Sequence, residues 1–178
     1  MTEIVSKRLK TRRCRLFCLS LVLVSNAALA EPAINENLLG MSEPALRESF
    51  DSVSTVTPPQ RGPRGERGRL RLPNSELAGL NFETIFYFKQ GSMARIEQRW
   101  TAVDSDCDAP YAAVLAKLSS RYGSAVRADD VDGAGLQRQF AAWTADNFQV
   151  AAYNIPHPDY CEIQVSFKPH QDVDASQL

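Results

Sequence analysis

The sequence predicts an α+β domain: two helix-then-antiparallel-strand repeats that form one sheet, with the helices on one face. Two helix starts share the same chemistry, and runs of alternating apolar residues follow each of them. The chain also repeats itself loosely at a spacing of 66 residues. Ser42-x-Pro44 recurs as Asp108-x-Pro110, Phe82 as Phe148, and Tyr87 as Tyr153. With one extra residue in a turn, Ile96-Glu97 then matches Ile163-Gln164, and Trp100 matches Phe167. In order and at nearly constant offset, these matches point to two similar units at about 38–102 and 105–168.

Residues 1–30 read as a secretory signal peptide rather than as part of that domain. Basic residues crowd Lys7 to Arg15, an apolar run follows from Leu16 to Val24, and Ala28-Leu29-Ala30 stands before Glu31. That is the order a signal peptidase requires, and the run is too short to span a bilayer. Cys18 lies in a poor lipidation context. Thr11-Arg12-Arg13 resembles a twin-arginine signal, but Arg15 stands where that motif prefers an aromatic residue, so ordinary secretion is the expectation. Cleavage after Ala30 leaves 148 of the 178 residues, enough for one domain over 31–170 with a flexible tail at 171–178. It removes six basic residues and one acid, leaving 14 basic against 20 acidic residues, a net charge of −6. An acidic chain of this kind has no overall attraction to nucleic acid or to anionic lipid.

The first helix opens at Ser42, whose hydroxyl can take up a free N–H of the first turn, with Pro44 where a missing N–H costs nothing. Leu46 and Phe50 lie one turn apart. Pro58 to Arg71 is rich in Pro, Gly and Arg and reads as an exposed, mobile connection to the sheet. Residues 79–89, 93–102, 136–145, 148–155 and 160–168 read as strands, with 67–73 a weaker candidate. Gln90-Gly91-Ser92, Asp146-Asn147 and Pro156 to Asp159 supply the turns. The second helix is expected to be capped by Asp108, to carry Tyr111, Val114, Leu115, Leu118 and Tyr122 as one stripe, and to stop at Gly123. Each helix is thus followed by about three strands.

Only Cys107 and Cys161 survive cleavage, with 53 residues between them. In an oxidising compartment such a pair is a structural disulfide. Cys161 must then face the start of the second helix, and alternation puts Ile163, Val165 and Phe167 on that side. Tyr160, Glu162, Gln164, Ser166 and Lys168 point the other way. Carried across the repeat, Phe82, Phe86, Phe88, Ile96, Trp100, Phe148 and Val150 join the core, together with Leu136 and Phe140. The opposite face collects Ile85, Tyr87, Arg95, Arg99, Trp143, Tyr153 and Tyr160.

Tyr, Trp and Arg bury large area with little entropy loss and keep a polar end, so Tyr87, Arg95, Arg99, Trp143, Tyr153 and Tyr160 are the candidate partner-binding residues. The rival view is that they pair across strands or lie beneath a loop. Arg61, Arg64, Arg67, Arg69 and Arg71 form a candidate anion-binding loop, against the reading of a solvated connection. Asp104-x-Asp106-x-Asp108 resembles the start of a calcium loop, but Ala109 and Leu115 stand where glycine and glutamate are needed, so no metal is expected. The only histidines are His157 and His170, no nucleophile elbow, zinc pair or phosphate-binding glycine loop is present, and no free thiol survives cleavage. Neither an enzyme nor a cofactor is expected.

Gly40-Met41-Ser42-Glu43-Pro44-Ala45-Leu46, the second start at Asp108-Ala109-Pro110 and the Cys107/Cys161 pair resemble two families in layout. One is the tandem architecture of the beta-lactamase inhibitor proteins, and the other is the single-unit SmpA/OmlA outer-membrane assembly lipoproteins. The chain departs from the lipoproteins in lacking a lipidation cysteine, and from the inhibitors in showing no recognisable inhibitory loop. The resemblance implies a protein-binding module of the envelope. The expectation is a periplasmic or secreted, non-catalytic protein that binds another envelope or extracellular protein, or itself, and neither nucleic acid nor a membrane interior. The alternatives are a polyanion, lipid-headgroup or small-ligand binder using the arginine loop, and an enzyme whose site is invisible in sequence.

Overall fold

Alternation with period two dominates the chain after residue 54, and the fold is accordingly mostly sheet. The computed structural model describes residues 32–103, 107–131 and 137–170, without the side chains of 128–131 and 137. Within them a short 3-10 helix, Glu36–Leu38, precedes α1 (Glu43–Ser49) and four strands, β1 (Ser54–Arg61), β2 (Arg67–Leu77), β3 (Leu80–Lys89) and β4 (Ser92–Val103). Then come α2 (Asp108–Tyr122) and β5 (Val126–Val131), β6 (Gln137–Thr144), β7 (Phe148–Pro156) and β8 (Tyr160–Pro169). The eight strands make one antiparallel sheet in the order β1-β2-β3-β4-β8-β7-β6-β5. Among the described residues each helix is thus followed by four strands instead of about three, because β1 and β5 at the sheet edges carry little apolar signal. No helix among the described residues is long and apolar enough to cross a membrane.

The local chemistry places the elements. Ser42 Oγ accepts from the Ala45 N–H at 3.4 Å, and Pro44 lies in the first turn. Asp108 is the first helical residue rather than the cap: Cys107 holds the cap position without a side-chain hydrogen bond. An acid in the first turn still complements the partial positive charge of the helix start. Gly123, with φ of 84°, ends α2 and donates to the Ser119 carbonyl. Gln90 and Gly91 take φ of 53° and 84°, which matches the two-residue turn that the right-handed twist of a hairpin favours. Ala78-Gly79 makes the same kind of turn between β2 and β3, and Ala78 is a residue that gives no turn signal in sequence.

The Pro/Gly/Arg-rich segment is not a mobile connection. It forms the edge hairpin β1–β2, with Gln60 opposite Gly68 and Arg61 opposite Arg67. Pro58 and Pro59 fall where the ladder is interrupted between Thr55 and Gln60, since proline can donate no ladder bond. The turn is closed by Gly62 N–H to the Glu66 carbonyl at 2.9 Å and Arg64 N–H to Glu66 Oε2 at 2.8 Å.

The strand register builds the core. Phe86, Ile96, Phe167, Val150 and Trp143 are consecutive cross-strand neighbours from β3 through β4, β8 and β7 to β6, and all five are buried. The same buried cluster takes Leu46 and Phe50 from the α1 region and Tyr111, Val114 and Leu118 from α2. Cys107 and Cys161 are joined, with Cα atoms 5.8 Å apart, which fastens the start of α2 to β8. Trp143 therefore belongs to the core, against expectation: its indole N–H donates to the Gly123 carbonyl at 2.9 Å. Phe140 moves the opposite way. It pairs with Tyr153, ring centroids 5.1 Å apart, outside the main core cluster. The alternation on β6 is shifted by one residue from the expected one, and a one-residue shift exchanges every side chain between faces. Leu136 and Asp104 to Asp106 lie outside the described residues.

Candidate functional site

On the sheet side away from Phe86 and Phe167, the neighbours run Glu83, Arg99, Gln164, Tyr153 and Phe140 across five strands. Between them lie ion pairs. Arg95 Nη1 meets Glu97 Oε2 at 2.7 Å, Arg99 Nη2 meets Glu97 Oε1 at 3.1 Å, and Arg99 Nε meets Glu162 Oε1 at 3.2 Å. Glu97 is buried and is held from both sides, which offsets the cost of taking its charge from water. Half of the Arg99 side chain stays exposed.

Tyr87 shares this side but is only 3% exposed. Gly68 makes its position possible: a Cβ there would come within 3.0 Å of the Tyr87 ring and 2.9 Å of Ile85. Tyr87 therefore lies across Gly68, and its hydroxyl donates to Gln60 Oε1 at 3.0 Å. The Arg95 guanidinium covers the ring at 3.9 Å. Burial, with Glu97 adding to it, raises the pKa of the phenol above its ordinary value. Tyr87 is thus a support for Arg95 and offers a partner almost no surface.

Beside this cluster the face hollows into a cleft of about 380 Å³. The β1–β2 turn lines one side through Pro63, Arg64 and Glu66, and the end of β8 lines another through Lys168 and Pro169. Lys89, Arg95 and Arg138 contribute three more cations, while Tyr153 and Ile155 give it an apolar wall. Five cations thus line the cleft against one carboxylate, Glu66, which is buried. Lys168 has its pKa lowered by burial and then by the nearby charges of Arg64 and Arg95, with Glu66 opposing them. Burial likewise raises the pKa of Tyr153. Lys89 Nζ donates to the Arg64 carbonyl at 3.2 Å and so ties β3 to the turn.

The residues expected to bind a partner are therefore only partly together. Tyr87, Arg95 and Arg99 form one cluster around Glu97, and Tyr153 lies in the adjoining cleft. Tyr160 is 38% exposed at the start of β8 and stacks on His157 at 4.0 Å. Trp143 is on the other side of the sheet. The arginines of the edge hairpin do not act as one loop. Arg69 pairs with Glu43 of α1 at 3.2 Å and Arg71 with Glu83 at 3.6 Å. Arg61 and Arg67 face each other at the strand ends, and Arg64 alone lines the main cleft. A second hollow of about 370 Å³ holds Arg67, Arg69 and Lys89 with Glu43.

Sequence reasoning leaves Lys89, Arg138, Phe140 and Glu66 out of the site. Lys168 was legible in part, since the alternation of β8 turns it to this side. Arg138 was hidden by the shifted alternation of β6, and Lys89 by its place at a hairpin end. Among the described residues no group of three His, Cys, Asp or Glu side chains is placed to hold a metal ion. Comparison with protein-family models, curated proteins and solved structures finds no match for this chain.

Proposed function

We propose that this is an exported, non-catalytic binding module that docks an acidic surface of another envelope or extracellular protein on the sheet side around Arg99. On this reading residues 1–30 are removed after Ala30, and the Cys107–Cys161 bond forms in an oxidising compartment. The two helix-plus-strand halves are a tandem repeat, with both helices packed on the Phe86 side. The observation that carries the reading is charge placement. The face and its adjoining cleft carry Arg64, Arg71, Lys89, Arg95, Arg99, Arg138 and Lys168 against the carboxylates Glu66, Glu83, Glu97 and Glu162, so cations outnumber acids there. A mature chain with a net charge of −6 thus concentrates positive charge on one face, which is complementary to an acidic partner and speeds its encounter.

The test uses immobilised mature protein and envelope extract. A captured acidic protein should be released by raised salt, and its capture should fall at least tenfold with Arg99→Glu. The comparison is made at a temperature where circular dichroism shows the variant folded, since the substitution also removes a partner of buried Glu97 and lowers the melting temperature. Capture that is indifferent to Arg99→Glu overturns the assignment of the face.

A further inference from the structure

We infer that the cleft between the β1–β2 turn and the end of β8 is a binding site for a small, multiply charged anion, a polyphosphate or polycarboxylate carried by a free molecule. The inference stands on the cleft itself and does not need the protein partner proposed above. Lys168 has burial and the charges of Arg64 and Arg95 against it, with the single carboxylate Glu66 opposing them. Arg95 keeps a buried Nε without a hydrogen-bond partner among the described residues, although its other end is paired with Glu97. Lys168 and the Arg95 Nε are thus partly buried beside further positive charge, and an anion of two or more charges in the hollow would offset that cost. Phosphate and carboxylate oxygens also match the forked donors of arginine and the ammonium of lysine.

Size and shape favour a free ligand over an inserted protein loop. A hollow of about 380 Å³ falls in the usual range for small-molecule sites. Its lining is mostly charged and polar, with cations converging from the turn and from β8 while Tyr153 and Ile155 supply an apolar wall, a make-up suited to a charged ligand. Gln164 and Ser166 add uncharged polar groups to the lining. Glu66 sets a limit on the ligand: its carboxylate is held in place by the Arg64 N–H, so it repels a ligand whose charge extends evenly in all directions.

The experiment is calorimetric titration of the mature protein with pyrophosphate, with citrate and with a hexaglutamate peptide, at low and at physiological salt. Pyrophosphate or citrate should bind with a dissociation constant below about 1 mM. Lys168→Gln and Arg138→Gln should each weaken that binding at least tenfold, whereas Arg127→Gln, exposed and outside the cleft, should leave it unchanged. Two cleft variants are used so that one misfolded protein cannot decide the result. Failure of both small anions to bind overturns the inference. So does binding that is insensitive to both cleft variants. Binding of hexaglutamate alone also overturns it, and would assign the cleft to the protein-docking face. Because no partner protein is present in these titrations, their failure leaves the capture experiment free to succeed.

Discussion

The two halves of the sheet fill the same buried layer with different shares of strand and helix side chains. Under α1, which has only seven residues, the strands themselves supply bulk: Phe82, Phe86 and Phe88 on β3 are buried, with Phe50 6.0 Å from Phe86. Under α2, which has fifteen, large strand residues such as Trp143, Val150 and Phe167 alternate with the small Ala141 and Ala152 in the same core cluster, and the helix adds Tyr111, Val114 and Leu118. The Tyr111 hydroxyl reaches the Ala152 carbonyl at 3.1 Å, an approach that a larger side chain on β7 would obstruct. Interiors hold a nearly constant density, so volume lost from one layer must be made up by the other. A short helix can cover a sheet only if the sheet rises to meet it.

The largest effect should come from emptying the half whose strands carry the volume. Phe86→Ala removes a fully buried ring and should cost about 3–5 kcal/mol in urea unfolding. A loss below about 1 kcal/mol would mean that α1 settles into the space, and that the helix is not limited by its length. The converse substitution belongs in the other half. Ala152→Leu adds volume where α2 already fills the layer, and should destabilise by about 1–3 kcal/mol. If that variant were more stable, the alanines would be lining a void and the comparison would fail.

The smallest effect should appear where the segment before α1 reaches across to α2. Glu36 pairs with Arg121 at 2.7 Å and accepts from the Tyr122 hydroxyl at the end of α2. Burial alone would raise its carboxyl, but hydrogen bonds from Tyr122 and Arg121 outweigh it and hold the group below its ordinary value of 4.5. The ionised form is thus favoured by folding. Its contribution is complete above pH 4.5 and fades as pH falls through the lower folded value. Glu36→Gln should flatten the acid limb of the stability curve and lower the plateau slightly. An unchanged acid limb would show that this contact does not hold the segment before α1 to α2.

Much of this was readable before the structure, element by element. The turns at Gln90-Gly91 and at Pro156 to Asp159, the Ser42 cap and the Gly123 stop are written in single residues, because each depends on a local backbone demand. The central strands were readable through alternation, and β8 kept its sides because Cys161 anchored them. The edge strands were not. β1 carries two prolines and β5 has no strong apolar rhythm, so both are strands only because a neighbour offers hydrogen bonds. Trp143 and Phe140 changed sides for a related reason: β6 has no disulfide to fix its phase, and Phe140-Ala141-Ala142-Trp143 contains two aromatics of opposite parity.

The sequence by itself thus determined the order of helices and central strands, the turns at Gln90-Gly91, Asp146-Asn147 and Pro156 to Asp159, the cysteine pair and the side on which β8 buries its residues. These follow from backbone preferences and periodicity, which act over a few residues. Only the tertiary structure decided that the arginine-rich stretch is an edge hairpin, that Tyr87 lies under Arg95 across Gly68, and that Arg64, Lys89, Arg95, Arg138 and Lys168 converge on one hollow. Those cations come from a turn and four different strands, and their convergence depends on strand order and register, which no local pattern encodes.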